Sequence, residues 1–188
     1  MDLLFGYSIP GAEYDWKRVS KPAWIASTVF FIFTIWMYRP NGTPYLDAVH
    51  LVTHEAGHPL FSYLHNYVLT VAGGTIFQLF VPAALTIWFA YTGQTTGTAF
   101  CGFMFFNSFI NIGTYMADAR ARVLPLVAPG MSSDEITEHD WNTLFEQANL
   151  LRHDVQIGNA TKLIGYLGMV AMIVWLAWMK KNLDENAE

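Results

Sequence analysis

The sequence predicts an all-helical membrane protein: a polytopic bundle of about five transmembrane helices, with an amphipathic helix in the loop before the last span. Three observations lead there. Of the 188 residues, 53% are hydrophobic and only 13% charged, about half the ~25% charged share of soluble domains. The apolar residues gather in long runs rather than alternating stripes. Those runs approach the ~20 residues a helix needs to cross ~30 Å of hydrocarbon.

The elements follow in chain order. The opening stretch Leu3–Pro10 is short, has no basic region before it and is followed by charges, so it does not read as a cleaved signal peptide. Residues 1–22 form a cytoplasmic or interfacial segment. The apolar runs Ala23–Tyr38, Tyr67–Tyr91, Thr98–Ala117 and Leu163–Met179 contain no Lys, Arg, Asp or Glu. A fifth, Leu46–Tyr63, is long enough but carries Asp47, His50, His54, Glu55 and His58. Ionisable groups at bilayer depth must face other helices or a wet cavity. Trp24, Trp36, Tyr38, Tyr45, Trp88, Tyr91, Trp175 and Trp178 fall near run ends, as an interfacial belt requires.

Residues 119–160 form the only sizeable polar loop. Pro125, Pro129 and Gly130 open it, and Ser132 or Ser133 can cap a helix whose first turn holds Asp134 and Glu135. Ile136, Leu144, Ala148 and Leu151 recur near helical spacing. Five spans place this loop beside the N-terminus. Lys17, Arg18, Lys21, Arg120, Arg122, Arg152 and Lys162 then share one side, against Arg39, Lys180 and Lys181 on the other. The excess marks the cytoplasm. With a tail over 180–188, the whole chain reads as one integral membrane domain. A net charge of −5 argues against nucleic acid, which needs clustered Lys and Arg, and the single Cys101 forms no internal disulfide.

The chemistry concentrates in Val52-Thr-His54-Glu55-Ala-Gly-His58, an HExxH motif. On a helix, His54 and His58 share a face with Cβ atoms ~5–6 Å apart, so both reach one metal ion. Glu55 flanks that ion without ligating it, where a general base for an activated water belongs. His50 continues the stripe, but eight residues put it ~12 Å from His58 along the axis. It lines the cavity rather than ligating. His65 falls at the helix end, and Pro59 removes one helical hydrogen bond. A catalytic zinc takes three protein ligands and keeps an open position. The third ligand has to come from Asp118, His139, Asp140, His153 or Asp154. Gly73 and Gly74 either let two helices approach closely or open a broken helix, with Gln78 as a polar contact.

These features resemble the site-two protease group of intramembrane zinc metalloproteases, and more closely its small bacterial peptidase-like members. The resemblance rests on HEAGH at 54–58, Gly73-Gly74-Thr-Ile-Phe-Gln78, Ala117-Asp118-Ala119-Arg120, Leu124-Pro125-Leu126 and His139-Asp140-Trp141, in the same order along most of the chain. It implies a zinc ion held by His54, His58 and Asp118, with Glu55 catalytic and Asn111 as a substrate or oxyanion contact. It also implies residence in a bacterial inner membrane. His50, His139 and Asp140 stand as neighbours or alternative ligands.

Three function classes follow. One is hydrolysis of a peptide bond of a membrane protein in or near the bilayer. Another is a non-catalytic small subunit of a membrane complex. The family places prolines before its aspartate and a glycine after it, where this chain has Tyr115-Met116-Ala117 and Ala119, which favours the subunit. The third is redox: paired histidines can ligate haem or di-iron, but one HxxxH pair is few for such a site, and haem leaves Glu55 unexplained.

Overall fold

The computed structural model describes residues 16–37, 44–124 and 139–185, and these are all-helical, with no strand among them. The order is α1 (Lys21–Met37), α2 (Pro44–Ser62), α3 (Tyr67–Tyr91), α4 (Thr95–Ala117), α5 (Asp140–Gln147), a 3-10 turn at Leu151–His153 and α6 (Asp154–Glu185). The third helix coincides with the run read from the sequence. Asn66 caps it by accepting from the Leu69 amide at 3.0 Å. Gly93, at φ 65°, turns the chain into α4.

The bundle is built on α4 and α6. They run antiparallel, and Gly113 meets Gly158 so closely that a Cβ on Gly158 would lie 2.4 Å from the Gly113 carbonyl oxygen. Small residues at such crossings allow backbone-to-backbone approach. Phe103, Ile110, Met169 and Leu176 fill the seam, and Phe31 of α1 stacks on Phe103 at 4.2 Å. On the other flank α2 pairs antiparallel with α3, at a crossing where a Cβ on Gly57 would lie 2.2 Å from the Gly73 carbonyl oxygen.

Two helical stretches, Tyr67–Tyr91 and Leu151–Glu185, are long and apolar enough to cross a membrane. A bundle of five such spans is not established. α1 is apolar but has 17 residues, or about 25 Å at 1.5 Å each. α2 carries the ionisable stripe, and α4 is interrupted by Thr, Gly, Asn and Ser residues. The directions differ from the expectation as well. The Lys17 amide donates to the Gly93 carbonyl at 2.7 Å, so α1 starts at the N-terminal end of α4; Phe30 and Phe31 then meet Phe100 and Phe103. α1 therefore advances in the same sense as α4. So does α2, because it is antiparallel to α3, and α3 in turn is antiparallel to α4, with Phe89 beside Gly97 and Gln78 beside Asn111. Two successive spans would have to run in opposite senses.

Arg18 donates to the Leu183 carbonyl at 3.2 Å, so Lys17 and Arg18 share an end with Lys180 and Lys181, away from Arg120 and Arg122. Among the described residues, basic side chains therefore do not accumulate at one end, and their distribution does not mark the N-terminal side as cytoplasmic.

The polar loop also departs from expectation. Pro125, Pro129, Gly130, Ser132, Ser133, Asp134, Glu135 and Ile136 lie outside the described residues, as do Tyr38, Arg39 and residues 1–15. The helix observed in this loop is α5, which begins at Asp140, capped by His139, and ends at Gln147. The pattern does not continue as one helix to Leu151, because Asn149 takes a left-handed φ of 56°.

Candidate metal centre

The site lies where α2, α3 and α5 meet. Helical spacing on α2 sets the His54 and His58 rings edge to face, with centroids 5.0 Å apart. The glycine-mediated approach of α3 brings two acceptors to the outer nitrogens. His58 Nδ1 lies 2.9 Å from the Thr70 carbonyl oxygen, and His54 Nδ1 lies 3.3 Å from Gln78 Oε1. Gly74 closes the floor, and a Cβ there would sit 2.6 Å from His54 Nε2 and 2.7 Å from His58 Nε2.

The third member arrives from α5. Asp140 Oδ2 is 2.7 Å from His54 Nε2 and 3.3 Å from His58 Nε2. One ligand atom from each of the three residues falls within a 4.8 Å group, and the arrangement could hold a metal ion. The tautomers sharpen this. The Thr70 carbonyl can only accept, so His58 Nδ1 carries hydrogen, and Gln78 Oε1 suits a hydrogen on His54 Nδ1; a neutral imidazole in that form presents a lone pair at Nε2. Two lone pairs and a carboxylate oxygen converging on one point repel unless a cation is shared, either a proton on one ring or a metal ion. Tetrahedral ligation with bonds of ~2.0–2.1 Å separates donor atoms by about 3.3 Å, so His54 and Asp140 need to part by roughly half an ångström. The donor set fits zinc. Burial by itself would raise the Asp140 carboxyl, but with no ion bound and the rings protonated, hydrogen bonds from His54 and His58 outweigh it and hold the group down at about 2.

The other sequence candidates fall elsewhere. Asp118 is not in the group. It sits at the C-cap of α4, where Oδ1 accepts from the Val123 amide and Oδ2 from the Leu124 amide, each at 3.0 Å. His139 lies outside the group too. Its Nδ1 accepts from the Asn142 amide at 3.3 Å, so its hydrogen is on Nε2, directed at Asp118 Oδ2 3.6 Å away. Burial pushes His139 below the usual imidazole range, against the pull of Asp118. His50 is 3% exposed and places Nε2 2.6 Å from Asn107 Oδ1, lining the interior apart from the ligand group. Asn111 is engaged on both sides, by Gln78 and by Asp47. Glu55 is half-buried and within electrostatic reach of His54, His58 and Asp140. His153 pairs with Arg152, and Asp154, 1% exposed, is held by Arg120 at 2.7–2.8 Å. His65 is exposed in the turn between α2 and α3.

Three contributors escaped sequence reasoning. Thr70 acts through its backbone, which leaves no side-chain signal. Asn107 holds His50 from inside an apolar run. Tyr115 lies tilted against His139 with centroids 4.2 Å apart, approaches the His54 ring at 5.8 Å, and accepts the Asp140 amide at 3.3 Å. Its spacing of one helical turn from Asp118 was the available clue.

No protein-family model, curated protein or solved structure matches this chain.

Proposed function

We propose that this protein is a zinc-dependent hydrolase embedded in a membrane, cleaving a peptide bond of a membrane protein at the edge of the bilayer. The observation that carries the reading is the convergence of His54 Nε2, His58 Nε2 and Asp140 Oδ2 beside Glu55. A zinc ion bound there would lower the pKa of a coordinated water to about 7 and polarise a substrate carbonyl. The chain's own residues supply the rest. Glu55 takes the proton of the attacking water and returns it to the leaving amine. Tyr115, whose oxygen accepts the Asp140 amide, keeps its hydroxyl proton for a substrate oxygen.

Membrane residence is supported by where the apolar surface lies. The apolar windows of the two span-length stretches are only 28% and 22% buried, whereas a soluble core helix is mostly buried. Phe80, Ile87 and Trp88 on α3, and Leu163, Leu167 and Val174 on α6, are at least 58% exposed. Surfaces of that kind require lipid or a partner subunit. The resemblance points to a bacterial inner membrane.

A second reading has one specific support: 2.7 Å between His54 and Asp140 is hydrogen-bond length. A shared proton there would make the group a clamp seating α5 in a non-catalytic subunit. Elemental analysis of purified protein separates the two. Stoichiometric zinc that disappears in His54→Ala supports the hydrolase, and absence of zinc from the wild type supports the clamp. Glu55→Gln should keep the zinc but slow cleavage of a fluorogenic transmembrane peptide in liposomes by about 10²–10⁴-fold. Undiminished cleavage removes Glu55 from the mechanism.

A further inference from the structure

We propose that Asp47, two helical turns before His54 and outside the ligand group, fixes the His54 tautomer through a relay of two amides and thereby sets the affinity for metal. The inference rests on the metal-site reading above. The relay runs across three helices. Asn111 Nδ2 donates to Asp47 Oδ1 at 3.3 Å, Gln78 Nε2 donates to Asn111 Oδ1 at 3.0 Å, and Gln78 Oε1 faces His54 Nδ1 at 3.3 Å.

The direction of every bond follows from its far end. An ionised carboxylate only accepts. Asn111 must therefore turn its NH2 towards Asp47, which turns its oxygen to Gln78. Gln78 then has to give its NH2 to Asn111 and present its oxygen to His54. An oxygen opposite Nδ1 requires hydrogen on Nδ1, and that leaves Nε2 as the lone pair aimed at the ligand group. A reversed Gln78 amide would draw the imidazole hydrogen to Nε2, where it blocks ligation. Gln78 is 2% exposed, so water offers little competition at the last link. His58 needs no such relay because the Thr70 backbone carbonyl can only accept. Asp47, Asn111 and Gln78 are thus positioning residues, and partners of this kind usually change metal affinity by about 10–100-fold.

The test is a double-variant cycle in detergent-purified full-length protein, reading zinc affinity by chelator competition. Asp47→Leu and Gln78→Met should each weaken zinc binding by about 10–100-fold. The double variant should bind no more weakly than Gln78→Met alone, because both break one chain. Losses that multiply in the double variant overturn the relay. A second readout is independent of metal: 15N spectra of histidine-labelled wild type should show His54 protonated at Nδ1. In Asp47→Leu the tautomers of His54 should mix while His58 is unchanged. Hydrogen on Nε2 of His54 in the neutral wild type refutes the relay whether or not zinc binds. A wild type without zinc but with the expected tautomer refutes the metal reading and leaves the relay standing.

Discussion

Asp140 Oδ2 stands 2.7 Å from His54 Nε2, although 86 residues separate them in the chain. The short helix α5 thus delivers a carboxylate to a pair of histidines on α2. The α4 end seats that helix: the Asn142 side chain donates to the Ala119 carbonyl at 2.9 Å and is itself contacted by Arg122, while Tyr115 accepts the Asp140 amide.

The two aspartates should separate on mutation. Asp140→Asn is expected to weaken zinc binding at least 10-fold, since a ligand charge is lost from the centre. Asp118→Asn keeps all three ligand atoms and removes charge-assisted bonds to two backbone amides, which costs about 1.5–3 kcal/mol of stability. Thermal unfolding and zinc titration of both variants measure this. Zinc loss confined to Asp118→Asn would restore Asp118 as the ligand.

Gly74→Ala places a methyl against Nε2 of both His54 and His58, at 2.6 and 2.7 Å. Overpacking of this kind costs about 1–3 kcal/mol, and zinc stoichiometry should fall towards zero in protein that still folds. Gly57→Ala meets backbone instead, at 2.2 Å from the Gly73 carbonyl oxygen. It should lower the melting temperature more than Gly74→Ala does. The reverse order would show that the α2–α3 crossing tolerates a wider spacing.

Acid should act in two stages. Zinc ligation needs neutral imidazoles, so mild acid releases the ion. The same protonation gives Asp140 cationic partners, and its carboxyl, held at about 2, lies below the ordinary 3.8. A depressed carboxylate contributes stability above its unfolded value and loses it as pH falls through the folded one. Seating of α5 should therefore persist to about pH 4 and fail on the way to pH 2. Hydrogen exchange of residues 139–147, followed beside zinc release, measures both stages. Exchange that rises together with zinc loss near neutral pH would contradict the ordering.

Lysine at exposed apolar positions tests the membrane reading. Ile87 is 70% and Leu167 62% exposed. Facing lipid, each substitution to lysine should oppose insertion by about 2.5–3.5 kcal/mol at mid-bilayer depth, visible as reduced membrane-fraction yield. Equal or improved yield of soluble protein would mean these faces meet water.

The sequence by itself determined the helical class, the extent of α3 and the pairing of His54 with His58, because each depends on near neighbours along the chain. Helical periodicity fixes which residues share a face, and the lengths of apolar runs fix which segments can span. The tertiary structure decided the rest. Whether Asp118 or Asp140 approaches the histidines depends on where α5 docks, and no local pattern encodes that. The shared direction of α1 and α2, which moves Lys17 and Arg18 to the end opposite Arg120, likewise arises from packing against α4. Run lengths measure how far a helix reaches; only contacts between distant segments give its direction and what it meets.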